Sequence, residues 1–280
     1  MSTDGAIYTC SSSATATAAC AGQVIVSGSY GGEYNAFHAA KWGIRGVVLN
    51  DAGVGKDGAG IKGLPYLDRI GLPAATADAM TCHIADADHM LDHGRISHVN
   101  EAAAALGCRV GEAVRACADR MTAGPVISTA PPAIGGGRRY VVHDVAGEPN
   151  VLCLDAAPLL EATDAGQIVV TGSHAAMFRG LPDGVIGPDV KAIFFSDAGV
   201  GLDGAGIARL ADLDTRGIPA ATAAAASAPI GDARAIYRDG IISHANAAAE
   251  ALGAAAGLPI KAFVDMLLAR ARVNAADGRG

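Results

Sequence analysis

Two serines sit at matching places in two near-repeats, VIVSGSYGG (residues 24–32) and IVVTGSHAA (residues 168–176). Ser29 and Ser173 each follow a short β-branched run and a glycine. In the first copy Gly31 and Gly32 come next, so backbone N–H groups beside the hydroxyl would form an oxyanion hole. A serine hydroxyl needs a base before it attacks, and Lys56 or His174 is the base this chain offers. That set suits hydrolysis of a small polar substrate at an amide, imide or lactam C–N bond. The serine does not stand in a G-x-S-x-G elbow, since residue 27 is Ser where that pattern has Gly. The structural alternative is that both serines cap helices.

The second pair of segments is NDAGVGKDGAG (50–60) and SDAGVGLDGAG (196–206), identical at nine of eleven positions. Gly53, Gly55 and Gly58 match G-x-G-x-x-G, which marks a dinucleotide site only between a strand and a helix with an acid ending the next strand. The next strands are LPAAT and IPAAT, with no acid, and Asp57 would repel a pyrophosphate. The segments therefore read as strand-to-helix turns that use glycine for positive φ. Asp51, Asp57, Asp197 and Asp203 are then expected at strand carboxyl ends around one cleft between the two repeats, where a small polar substrate would bind. Asp51 and Asp197 also leave a metal-dependent enzyme open as an alternative, alongside a nucleotide- or metabolite-binding protein without chemistry.

A third pair is ISHVN (96–100) and ISHAN (242–246). His98 and His244 are candidate acid–base or ligand-donating groups, and Asn100 and Asn246 are substrate-binding or helix-capping groups. The stretch CHIADADHMLDHG (82–94) has no counterpart histidines in the second copy. His89 and His93 are four residues apart, a spacing open to a metal, but the stretch is read as a solvated polar helix. The expected set contains no metal and no cofactor.

These groups need elements to hold them. The first pair of segments repeats at an offset of 144 and the second and third at 146, so the chain is a tandem duplication. The expected division is 1–122 for the first repeat, 123–148 for a connection and 149–280 for the second repeat. Within each, apolar runs alternate with helical stretches, which predicts an α/β fold with parallel sheets, the two copies related by a pseudo-two-fold. In such sheets ligands bind at the carboxyl ends of strands, and all three repeated patches are expected there. YVVHDV in the connection is expected to add a strand.

Composition limits the partners. The chain has 280 residues, 21 basic and 28 acidic, for a net charge of −7, and only Arg138-Arg139 as a basic cluster, which excludes a nucleic-acid footprint. No apolar run is long enough to span a bilayer. The N-terminus is too polar for a signal peptide, and six cysteines without C-x-x-C spacing read as reduced thiols. The expectation is a cytoplasmic, cofactor-independent hydrolase of a small molecule, forming a homo-oligomer.

Overall fold

The computed structural model describes residues 3–4, 6–135, 137–178 and 186–276. By its internal contacts the chain forms two units. The first runs to Gly135 and also takes in Gly199–Gly206; the rest of the second half of the chain belongs mainly to the second unit.

The first unit is mixed α/β. Its elements are β1 (Thr3–Asp4), β2 (Ile7–Cys10), β3 (Val24–Tyr30), α1 (Glu33–Ala40), β4 (Gly46–Asn50), α2 (Gly63–Asp68), β5 (Ala74–Ala77), α3 (Ala87–His93), β6 (Ile96–Val99), α4 (Glu101–Ala105) and α5 (Val114–Thr122). The sheet order is sequential, β1-β2-β3-β4-β5-β6. Strands β2 to β5 are parallel, and β1 and β6 are antiparallel edges. Side chains alternate across the sheet. Ile25, Val47, Leu49 and Ala74 face Ala36, Ala39, Leu64 and Leu67 of α1 and α2. Val24, Val26, Val48 and Ala75 face Met90 of α3 and Val114, Cys117 and Met121 of α5. Both faces are covered, so the central strands are continuous apolar runs rather than alternating ones.

Gly28 in β3 answers to a close approach. A Cβ there would lie 2.6 Å from the Ala85 backbone and 2.7 Å from Ser11 O. Ala85 N donates to Gly28 O at 2.8 Å, so the chain ahead of α3 crosses directly over the strand. Gly172 in the second unit is pressed in the same way by Asp155 and Gly231.

The second unit contains β7 (Arg139–His143), β8 (Val151–Leu154), β9 (Ile168–His174), β10 (Ala192–Ser196), α6 (Arg209–Thr215), β11 (Ala220–Ala223), α7 (Ala233–Asp239), β12 (Ile242–Ala245), α8 (Ala247–Glu250) and α9 (Ile260–Ala276). Strand β7 is the strand expected from YVVHDV, and it pairs antiparallel with β8. Strands β8 to β11 are parallel and β12 is antiparallel. Phe194 meets Phe263 of α9 edge-on at 5.9 Å, in a core with Ile236, Val264 and Leu267. Phe195, Val169 and Ile193 pack on the opposite face with Leu210 and Leu213 of α6.

One expectation about placement is corrected. The alternation of strand and helix predicts all three repeated patches at carboxyl strand ends. Strands β6 and β12 run antiparallel instead, with Thr76 opposite His98 and Thr222 opposite His244. The connection from β5 to β6 closes on itself at the carboxyl edge, where Asp78 N donates to Arg95 O at 2.8 Å and Arg95 N donates to Thr81 Oγ1 at 2.9 Å. The chain re-enters at the edge where β5 ended, and Asn100 emerges at the amino edge, beside Ala74.

Candidate functional site

The carboxyl edge of the first unit is built around the NDAGVGKDGAG turn. Ala52, Gly53, Val54 and Gly55 all have φ between 49° and 69°, and Asp57 and Gly58 follow at 57° and 65°. Left-handed backbone at Ala costs on the order of 1 kcal/mol and is worse at a β-branched residue such as Val54. The turn is held against that cost by named bonds. Asp51 is buried, and its Oδ1 accepts from Gly53 N at 2.9 Å and Ala79 N at 3.0 Å. Asn50 Oδ1 accepts from Ala52 N at 2.9 Å. The second copy repeats the backbone, with Ala198, Val200 and Asp203 at φ 49°, 65° and 54°. Asp197 Oδ1 accepts from Ala225 N and Ser196 Oγ from Ala198 N. The two aspartates therefore brace strained turns, which is why both copies keep D-A-G-V-G.

Residues 199–206, though written in the second copy, pack within the first unit. A Cβ on Gly199 would stand 2.7 Å from Gly53 Cα, so the two turns meet backbone to backbone where only glycine fits. Leu202 N donates to Ala79 O at 2.8 Å. This docking delivers Asp203 to His83, with Oδ2 2.9 Å from Nε2. His83 is 30% exposed and Asp203 73% exposed, so water reaches the pair.

Three imidazoles continue from it. His83 stacks on His89 at 3.9 Å between ring centroids, and His89 lies 4.6 Å from His93. His83 N donates to His89 Nδ1 at 3.3 Å. That bond assigns the neutral His89 its proton on Nε2. Burial, reinforced by the neighbouring His83 and His93, holds the His89 pKa below its usual value. The second copy has Pro229, Ala235 and Asp239 at the three histidine positions. A carboxylate on one ring nitrogen fixes a histidine's tautomer and leaves the other as a proton acceptor, so the His83–Asp203 pair can do general acid–base work.

The serines are engaged otherwise. Ser29 is buried, and its Oγ accepts from Ser13 N at 3.0 Å with Ser13 Oγ at 3.3 Å. Among the described residues no amine, imidazole or carboxylate hydrogen-bonds that oxygen. Ser173 Oγ accepts from Ala157 N at 2.9 Å. Gly31 N donates to Asn50 O at 2.8 Å, so it is committed to the sheet rather than offered to an oxyanion. Gly32 is the extended N-cap residue of α1. Lys56 opens the 3-10 turn Lys56–Gly58 and is half-buried.

His174 is buried, with Nδ1 accepting from Ala176 N at 3.2 Å. Burial, with Arg209 adding to it, pushes its pKa down to about 4. Expected as a base with an ordinary pKa, it is instead a neutral core imidazole.

The SHxN patches hold the sheet together. Ser97 Oγ lies 3.0 Å from Thr76 Oγ1, and Ser243 Oγ lies 3.0 Å from Thr222 Oγ1. Asn100 Oδ1 accepts from Ala74 N and Ala103 N, each at 2.9 Å, while Nδ2 donates to Leu72 O at 2.9 Å. Asn246 repeats all three bonds with Ala220, Ala249 and Ile218. His98 and Asp57 line a groove of about 430 Å³ alongside α2, with Lys62 and Glu101. His244 is exposed.

Sequence reasoning missed the catalytic promise of His83, because nothing local says that a residue 120 positions away comes to rest on it. The difference between the copies at the three histidines was the available signal. No described helix is long and apolar enough to cross a membrane. No family model, curated protein or solved structure matches the chain.

Proposed function

We propose that this chain is a cofactor-independent hydrolase of a small polar substrate, cleaving an amide, imide or lactam C–N bond at the carboxyl edge of its first unit. The observation that carries the reading is the His83–Asp203 pair, made from a histidine found only in the first copy and a carboxylate on the second copy's turn. His83 would take a proton from water as the water oxygen attacks the carbonyl carbon. The same proton would pass to the departing nitrogen as the C–N bond breaks. Asp203 would steady the imidazolium between those steps. Ser29 and Ser173 are then positioning hydroxyls. A pseudo-two-fold relation between the repeats, a homo-oligomeric assembly and a cytoplasmic setting belong to the same proposal.

The test begins with a screen of cyclic amides, imides and lactams for turnover, and continues with variants on the best substrate. His83→Ala is expected to lower kcat by about 10²–10⁴-fold. Asp203→Asn should also lower it, by about tenfold or more, while Asp57→Asn, its exposed first-copy equivalent, stays near wild type. Ser29→Ala should retain most turnover. Loss of turnover in Ser29→Ala with His83→Ala unaffected would return the nucleophile to the serine and sink the water mechanism.

A second reading is favoured by the groove lined by His98, Asp57, Lys62 and Glu101, whose mixed charges suit a small zwitterionic metabolite held without chemistry. Thermal stabilisation that His98→Ala abolishes, in a protein with no turnover on any amide, would select it.

A further inference from the structure

The thiols of Cys108 and Cys117 and the carboxylate of Glu112 lie mutually within 4.8 Å in the first unit. Cys108 follows α4, Glu112 precedes α5, and Cys117 is on the buried face of α5. Cys108 Sγ lies 3.6 Å from Cys117 O. Both cysteines are buried, at 2% and 0% exposure, while the Glu112 side chain is 15% exposed and opens the cluster to solvent.

The second copy is an internal control. It builds the same corner, with Ile241 bridging Pro259 as Arg95 bridges Ala113. At the offset of 146 its residues are Ala254, Leu258 and Phe263, all apolar. Ala254 and Phe263 sit in the hydrophobic core. This corner therefore folds without any polar group, and the fold does not account for two thiols and a carboxylate in the first copy.

We propose that Cys108, Glu112 and Cys117 bind a thiophilic divalent cation, with Zn²⁺ the best match. Two sulfurs and an oxygen around one tetrahedral zinc, at about 2.3 and 2.0 Å from it, stand roughly 3.5–4 Å apart, which the cluster's spacing accommodates. Thiolate ligands select Zn²⁺ over Mg²⁺ or Ca²⁺. Charge also closes. Two thiolates and Glu112 are balanced by the dication and by Arg120, whose Nε donates to Glu112 Oε2 at 3.2 Å. A buried site needs that neutrality. Arg109 N donates to the other oxygen, Oε1, at 2.9 Å, so the carboxylate is oriented from outside the cluster as metal-binding carboxylates are. Three protein ligands leave a fourth position for water. Binding releases the two thiol protons, so uptake weakens as pH falls.

The experiment uses the full-length reduced protein with Zn²⁺ or Co²⁺ alone. The expected result is one equivalent of metal retained through gel filtration, loss of two thiols from reaction with a thiol reagent, and a thiolate-to-cobalt charge-transfer band. Cys108→Ala and Cys117→Ala should abolish the band, and Glu112→Gln should weaken binding by about 10–100-fold. Cys108→Ala places the second copy's own residue in the corner, so folding is expected to survive. His89→Ala should leave uptake unchanged. Three results would overturn the proposal: no uptake by the reduced wild-type protein, uptake that survives Cys108→Ala or depends on His89, or recovery of Cys108 and Cys117 joined in a disulfide that no metal prevents.

Discussion

A buried imidazole makes stability depend on pH, and His174 shows how. Its folded pKa of about 4 lies below the ordinary 6.5, so between those values the unfolded chain binds the proton and the folded chain does not. Stability then rises with pH across that window. It is complete above about 6.5 and is lost as pH falls toward 4, by on the order of 3 kcal/mol. Urea denaturation of the wild type and of His174→Gln at pH 7 and pH 5 should show a smaller pH loss in the variant. An equal loss in both would mean that His174 is protonated in the folded protein. Asn100 answers to hydrogen-bond accounting. It satisfies two backbone N–H groups and the Leu72 carbonyl, all buried. Asn100→Ala should cost about 2–4 kcal/mol, and Asn100→Asp should also destabilise because a carboxylate cannot donate to Leu72 O. Stability of Asn100→Asp equal to wild type would remove that account.

The repeated turn is the element whose energetics stand out. Val54 holds φ at 63°, where a β-branched side chain crowds the backbone. Val54→Gly should relieve that strain and raise stability by about 0.5–1 kcal/mol. A fall in the urea midpoint would show that the half-buried Val54 side chain contributes more by packing than it costs in strain. The turn cannot be relaxed freely, because its shape lets Gly53 and Gly199 approach and so sets Asp203 against His83. Strain retained in both copies is in keeping with a turn whose geometry is used.

At the scale of the whole molecule, the first unit is not continuous in the chain. It includes Gly199–Gly206, which lies far along the sequence from the other elements of that unit. A fragment of residues 1–135 lacks the bond from Leu202 N to Ala79 O and the His83–Asp203 pair. Amides of residues 79–86 should exchange with deuterium roughly five- to tenfold faster in that fragment than in the full chain, as expected for losing about one net hydrogen bond's stability. Equal exchange would mean that the turn is held by the first copy alone. Asp203 and His83 are both reached by water, so their side-chain hydrogen bond contributes little to stability and the backbone docking carries the effect.

Much of this was written locally. The apolar runs of β3, β4, β9 and β10, the glycine-rich turns and the Asn100 and Asn246 caps follow from residue type and spacing, because each is signalled by residues a few positions apart. The six cysteines lack C-x-x-C spacing, and all six are free. Other features depend on contacts that close only when the sheet forms. The antiparallel sense of β6 and β12 rests on bonds that close each connection at one edge, Asp78 N to Arg95 O and Ala224 N to Ile241 O, and it moved Asn100 away from Asp51. Ser29 looked like a nucleophile because a Gly-Ser pair ends a strand, but Ser13, sixteen residues earlier, occupies its hydroxyl. His83 looked like part of a solvated helix until a turn from the other repeat brought it a carboxylate. Sequence by itself determined which segments are strands, which turns must be left-handed and that the chain repeats. Only tertiary structure decided which polar groups meet, because a side chain's partner across more than a hundred residues is chosen by packing and not by spacing.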